Sequence, residues 1–257
     1  MRIEKILLSA ALAGVVICLG GCTPSDAGAQ GKPTSQGPSA SNGADMSSGD
    51  LIDSSDRMVI QSDSAMTPEI EAQFCEDLRQ AAQAGDTVAA YVDDIPIYKR
   101  QVEVGLAFSN QTNSRNLQII TDPDEREAYL AKYDKNYDDM LNWFINQEIG
   151  ILEGKKAGIN LDEQEMKDSA RAQWEQAIQD ESVQKMVEAL GITPEEYFET
   201  YQLPGTRRSA YFNQLFEDLL PSANYQDEGG RLDKDKRDAD IAAKLKEMRK
   251  EHTVKIL

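Results

Sequence analysis

Between Asp138 and Glu199 the chain spells out a succession of helices with marked ends, and this stretch constrains the fold more than any other. Asp138 and Asp139 place negative charge where a helix begins, apolar Leu141, Phe144, Ile145, Ile149 and Leu152 recur at helical spacing, and Lys155, Lys156 and Gly158 close it. Asp162 then precedes Glu165 at the spacing of a capping box, in which each side chain satisfies an orphan amide, with Leu161 and Met166 as a hydrophobic staple. Met166, Ala170, Trp174 and Ile178 continue the apolar stripe, and a shorter unit from Ser182 to Leu190 ends at Gly191. Thr193, Pro194 and Glu196 start the next helix by the same device, stapled by Ile192 and Tyr197. A chain punctuated in this way packs as amphipathic helices.

The first residues address the chain to a compartment. Arg2 and Lys5 precede an apolar run from Ile6 to Leu19, too short to span a bilayer, so residues 1–21 read as a secretory signal. The run ends in Leu19-Gly20-Gly21-Cys22, which resembles the lipobox of bacterial lipoproteins, where cleavage precedes the cysteine and lipid is attached to its sulfur. Cys22 is therefore the expected lipid attachment site, holding the protein on the cell membrane at its extracytoplasmic face. Cys18 leaves with the signal, so Cys75 alone stays free and no internal disulfide is expected. Forty-five acidic against 27 basic residues give a net charge of -18. Such a field repels nucleic acid and anionic lipid, and attracts basic surfaces where it does more than keep the protein soluble.

Residues 22–65 are Ser, Gly, Ala, Pro, Asp and little else, the composition of a disordered tether with a reach of roughly 35 to 40 Å. Order is expected over 66–257, starting with a helix capped by Thr67 and Pro68 that carries Ile70, Phe74, Leu78 and Ala82 on one face and stops at Gly85. Thr87 to Val92 and Ile95 to Ile97 read as a hairpin turning at Asp93-Asp94, with Pro96 confining its second arm to an edge. At the other end, a helix bearing Ile241, Leu245 and Met248 leads to a strand at His252 to Leu257. A lone strand cannot satisfy its own backbone, so the two ends of this region are expected to pair. Between them lie a helix from Lys99 to Phe108, a polar loop from Ser109 to Thr121, a helix capped at Asp122, and a break at Pro204-Gly205 before a last aromatic helix. The fold class is mostly α (α+β), a helical body with a small antiparallel sheet.

This order resembles the N-terminal chaperone domain of the SurA and PrsA type of extracytoplasmic foldases. The residues that carry the likeness are Val88-Ala89-Ala90-Tyr91-Val92-Asp93-Asp94-Ile95-Pro96-Ile97, the helix from Leu141 to Ile159, Asp162-Glu163-Gln164-Glu165, Gly191-Ile192-Thr193-Pro194-Glu195-Glu196-Tyr197, and the closing Val254-Lys255-Ile256-Leu257. Asp93-Asp94 departs from the family's Asn-Gly turn. Members that isomerise prolyl bonds carry a histidine-using parvulin domain after the helical part, whereas here Pro221 to Asp233 leaves about 13 residues at that point, too few for a domain. The resemblance thus implies a non-catalytic lipoprotein whose partners are unfolded or newly exported polypeptides. The same features also suit a scaffold for one dedicated envelope partner. A relative of the prolyl isomerases ranks behind both.

Chemistry-bearing motifs are few. His252 is the single histidine and reads as a surface or strand-edge residue. Asp134, Asn136 and Asp138 open like a calcium loop, but Asp139 and Ile145 stand where it needs Gly and Glu. No cofactor or metal is expected. Most aromatic residues at helical spacing are core, yet a helical body with more apolar stripes than it can bury leaves a groove for extended apolar peptides. Trp143, Phe144, Trp174, Tyr197, Phe198, Tyr201, Phe212 and Phe216 are the candidates to line it.

Overall fold

The computed structural model describes residues 66–227 and 230–257. The signal read over 1–21, the lipid site Cys22 and the tether read over 22–65 lie outside the described residues.

Helix α1 (Pro68–Gln83) starts where expected: Thr67 Oγ1 accepts from Ile70 N at 3.4 Å, Pro68 occupies the first turn, and Gly85 follows at φ 59. Strands β1 (Val88–Val92) and β2 (Ile95–Tyr98) form the hairpin, and β3 (Val254–Ile256) pairs with β1 antiparallel, Ala90 opposite Ile256 and Val92 opposite Val254. The sheet order β2-β1-β3 puts Pro96 on an edge strand, where its missing N–H costs no ladder bond. The two extremities therefore meet as β-partners, as expected. Asp93 adopts φ 51, in the left-handed region that aspartate tolerates through local hydrogen bonding. Its amide donates to Thr253 O at 2.8 Å and its carboxylate accepts from Thr253 N at 2.9 Å, so the turn itself grips the C-terminal strand.

The stretch expected to be a loop from Ser109 to Thr121 is instead mostly helical, because α2 runs unbroken over Lys99–Ile119. Its polar residues are bonded inside the protein. Asn116 Nδ2 donates to Tyr129 Oη at 2.8 Å, Tyr129 Oη donates to Asn113 Oδ1 at 2.9 Å, and Asn113 Nδ2 donates to Tyr133 O at 3.2 Å. Tyr129 and Tyr133 belong to α3 (Pro123–Tyr133), capped by Asp122. This network satisfies both buried amides, so the asparagines sit in a helix without an unpaired polar group.

Next come α4 (Tyr137–Lys156), opened by a capping box between Asn136 and Asp139, α5 (Glu163–Ala177), capped by Asp162, and α6 (Glu181–Ala189). Helix α7 (Pro194–Tyr197) opens with the Thr193–Glu196 box. The break expected at Pro204-Gly205 does not occur: a π turn over Phe198–Gln202 leads directly into α8 (Leu203–Leu219). A proline inside an α-helix loses one hydrogen bond and crowds the carbonyl four residues back. Here Leu203 N bonds to Phe198 O across the wider turn, which leaves Pro204 in the first turn of α8. Thr206 Oγ1 donates back to Gln202 O at 3.0 Å, bonding across the junction. A short 3-10 turn (Ser222–Tyr225) then leads towards α9 (Lys234–Met248) and a second 3-10 turn, Arg249–Glu251, before β3.

Two apolar cores result. One gathers Leu78, Trp174, Val183, Met186, Tyr197 and Phe198 from α1, α5, α6, α7 and the π turn. The other gathers Val92, Ile97, Ile145, Ile149, Leu215 and Phe216 from the sheet, α4 and α8, with Leu245 and Met248 of α9. Helix α2 is the wall between them, giving Val104 and Ala107 to the first and Val102 to the second.

Candidate functional site

The eight aromatic candidates divide by burial. Phe144, Trp174, Tyr197, Phe198 and Phe216 are core side chains, each no more than 6% exposed, and have no surface to offer a peptide. This corrects their placement in a binding groove, and the reason is mutual packing. Trp174 stacks on Tyr197 at 4.8 Å between centroids, and Phe198 takes the Arg171 guanidinium on its ring face at 3.5 Å. Tyr201, 5.3 Å from Tyr197, and Phe212, 4.6 Å from Phe216, are half-buried at the rims of different cores. Trp143 alone of the eight is well exposed, at 44%, with its ring edge-on to Phe144. The candidates therefore do not converge on one groove.

The surface that remains apolar includes the end of the sheet. Residues directly opposite across a strand pair share a face. Ile256 thus lies on the same face as Ala90, yet Ala90 is fully buried and Ile256 is 56% exposed, while Val254 on that face packs against the second core. Leu257 beyond it is 60% exposed. Among the described residues the sheet ends at β3, so that strand's outer edge has no neighbour strand among them. Elsewhere, Leu130 borders an open depression of 590 Å³ on α3, together with Pro123, Arg126 and Asp134.

Cys75 borders a second depression, of 490 Å³, between α1 and α6. Burial pushes its thiol up, and the charge of Glu71 adds to this against the opposing charges of Arg79 and Lys185. It is a free, buried thiol whose thiolate is disfavoured by burial. Arg79 is one helical turn along α1, and Lys185 comes near only through the fold, from α6.

Two charged clusters were not visible in the sequence. Glu148 of α4 and Arg208 of α8 face each other at 3.7 Å with side chains 14% and 12% exposed, and Arg208 Nε has no partner. Burial pushes the Glu148 carboxyl up and the Arg208 guanidinium down, so desolvation outweighs their attraction for both. The second cluster is centred on His252, expected at the surface or a strand edge; it stands just before the edge strand β3, with its side chain only 9% exposed. Its Nδ1 lies 2.8 Å from Asp93 Oδ2 and its Nε2 lies 3.2 Å from Glu153 Oε1. Lys156 Nζ donates to the same Glu153 oxygen at 3.1 Å and to Glu251 at 2.6 Å. No sequence signal could have joined His252 to partners so far along the chain.

Among the described residues no cluster of histidine, cysteine and carboxylate side chains is placed to hold a metal ion, and no helix is long and apolar enough to cross a membrane. No protein-family model matches the chain, and neither a curated protein nor a solved structure does.

Proposed function

We propose that the protein is an envelope lipoprotein, anchored through Cys22, whose helical body of the SurA and PrsA type binds unfolded or newly exported polypeptides without catalysis. The observation that carries this reading is the pairing of β1 with β3, which closes a mostly helical body between the ends of the described chain. Where the family's isomerases insert a catalytic domain, this chain has the short stretch from Pro221 to Asp233. Trp143, Ile256 and Leu257 supply exposed apolar contact, with the half-buried Tyr201 and Phe212 at the core rims. The purified mature protein should suppress aggregation of unfolded model clients at about one chaperone per client. No suppression with any of several unrelated clients, apolar and basic ones included, overturns the reading.

One observation favours the alternative, a scaffold for a single envelope partner: most of the aromatic candidates are buried, and the exposed apolar residues are scattered. Crosslinking in intact cells followed by solubilisation separates the two. One abundant crosslinked species identifies a scaffold, and a broad spread of exported proteins identifies a chaperone. A proline-peptide isomerisation assay should stay at the uncatalysed rate.

A further inference from the structure

The C-terminal strand is short, lies at the sheet edge and packs only Val254 against the second core, with Ile256 exposed and exposed Leu257 just beyond it, so its own burial holds it weakly. What fastens it is polar. Asp93 N donates to Thr253 O and Leu257 N donates to Ala89 O, while the residue before Thr253 is the doubly contacted His252. Every charged group facing that ring bears on it: Asp93 from the hairpin turn, Glu153 with Lys156 from α4, and Glu251 from the adjacent 3-10 turn, whose carboxylate also feels Lys244.

An ionised carboxylate can only accept a hydrogen bond, and a neutral imidazole donates from one nitrogen alone. Both ring nitrogens of His252 lie within hydrogen-bond distance of carboxylate oxygens, so the two contacts are both bonds only when both nitrogens carry protons. We propose that His252 is a proton-operated latch: as imidazolium it bolts β3 to the hairpin turn through Asp93 and to α4 through Glu153, and loss of its proton loosens the strand. In the neutral ring one nitrogen turns a lone pair toward a carboxylate oxygen, which replaces an attraction by a repulsion; little water screens it on the Glu153 side, where ring and carboxylate are 9% and 13% exposed, and more does at Asp93, which is 43% exposed. The Asp93 carboxyl is held below its ordinary value first by the His252 bond and then by the Thr253 amide. Loosening β3 strips β1 of its partner on that side and leaves the carbonyl of Ala89 and the amide of Asp93 open for strand pairing.

The chain has one histidine, so the imidazole nitrogen signals in an NMR spectrum of the mature protein belong to His252 without ambiguity. These signals and the exchange of the Val254 to Leu257 amides, corrected for intrinsic base catalysis, are followed from about pH 5 to about pH 9. Both nitrogens should be protonated wherever the strand is protected, and protection should fall about tenfold over the interval in which the ring loses a proton, the fold-change expected from losing one charge-assisted hydrogen bond. His252→Gln should give low protection with a flat pH profile. Asp93→Asn, which keeps the turn's shape and takes away one charge, should flatten the profile while the chain stays folded. Protection that is indifferent to the ring's proton overturns the latch, as does a wild-type profile in His252→Gln or a ring neutral throughout.

Discussion

The two cores fill space by different means. The first relies on bulk: Trp174, Tyr197 and Tyr201 form a run of rings, and Arg171 closes the outer face of Phe198 at 3.5 Å. The second relies on close approach. A Cβ added at Gly150 would lie 2.9 Å from the Phe212 ring, nearer than real Cβ atoms come to a neighbour, so α4 and α8 meet with a ring lying on backbone. The second core also holds the Glu148–Arg208 pair at its margin, with Arg208 over the Phe144 ring at 5.2 Å. The difference teaches where each is vulnerable: the first to losing atoms, the second to gaining them or to losing a charge.

The largest effect should come from Phe198→Ala, which empties a fully buried site and removes the platform under Arg171; a cost of about 3 to 5 kcal/mol is expected. Denaturant unfolding followed by tryptophan fluorescence measures it, and in a Trp143→Phe background the signal comes from Trp174 inside the first core. A loss below about 1 kcal/mol would mean that this core does not depend on bulk. Because α2 supplies side chains to both cores, the transition should stay single.

In the second core, Arg208→Met takes from the buried Glu148 carboxylate its ion-pair partner, leaving only the weaker influence of Lys155 and Arg207, and should cost about 3 kcal/mol at neutral pH. The sign with pH follows from burial. The Glu148 carboxyl is already raised in the folded protein, so its contribution to stability is fully present below the ordinary carboxyl value and is lost as pH rises through the folded one. Arg208→Met removes a charge that opposes this rise, so its cost should grow from acid to neutral pH. Glu148→Leu with Arg208→Met should recover most of the loss, and a double variant as weak as the single one would show that the pair is net stabilising. Gly150→Ala comes next, at about 2 kcal/mol, because the Phe212 ring must shift from a filled site. Phe212→Leu should lessen that cost when the two are combined.

How far the fold was legible follows from the range of the interactions. Thr67, Asp122 and Thr193 announce helix starts because a cap bonds amides within three residues of itself, and each was read correctly. The meeting of β1 and β3 was legible because two short strands had no other partner. Helix α2 was misread because Asn113 and Asn116 owe their place to Tyr129 on the following helix, and polarity alone says loop. Pro204 was misread because a π turn, which leaves no local signature, absorbed it. The candidate site was the least legible. Trp143 and Phe144 are neighbours with the same apolar character, and only the packed helix shows that one is 44% exposed and the other 6%.

The smallest effect expected is at the Thr193–Glu196 box, which heads the helix that feeds Tyr197 and Phe198 into the first core. Thr193→Ala removes a hydroxyl that accepts from Glu196 N at 3.2 Å and donates to its carboxylate at 2.8 Å, and a cost of about 1 kcal/mol is the usual scale for such a cap. The Glu196 carboxyl is held below its ordinary value by the Thr193 amide first and the hydroxyl second. Its contribution is therefore present above the ordinary carboxyl value and is lost as pH falls through the folded one. Because the amide remains in the variant, the acid-side slope should shrink without vanishing. Glu196 and Glu148 thus respond to acid with opposite signs, one at the edge of each core. Stability measured from neutral to acid pH in Thr193→Ala and in the Glu148→Leu, Arg208→Met pair should separate them: the first flattens the fall in stability on acidification, the second steepens it. Profiles that move in the same direction would mean that the two cores do not differ in how charge meets their edges.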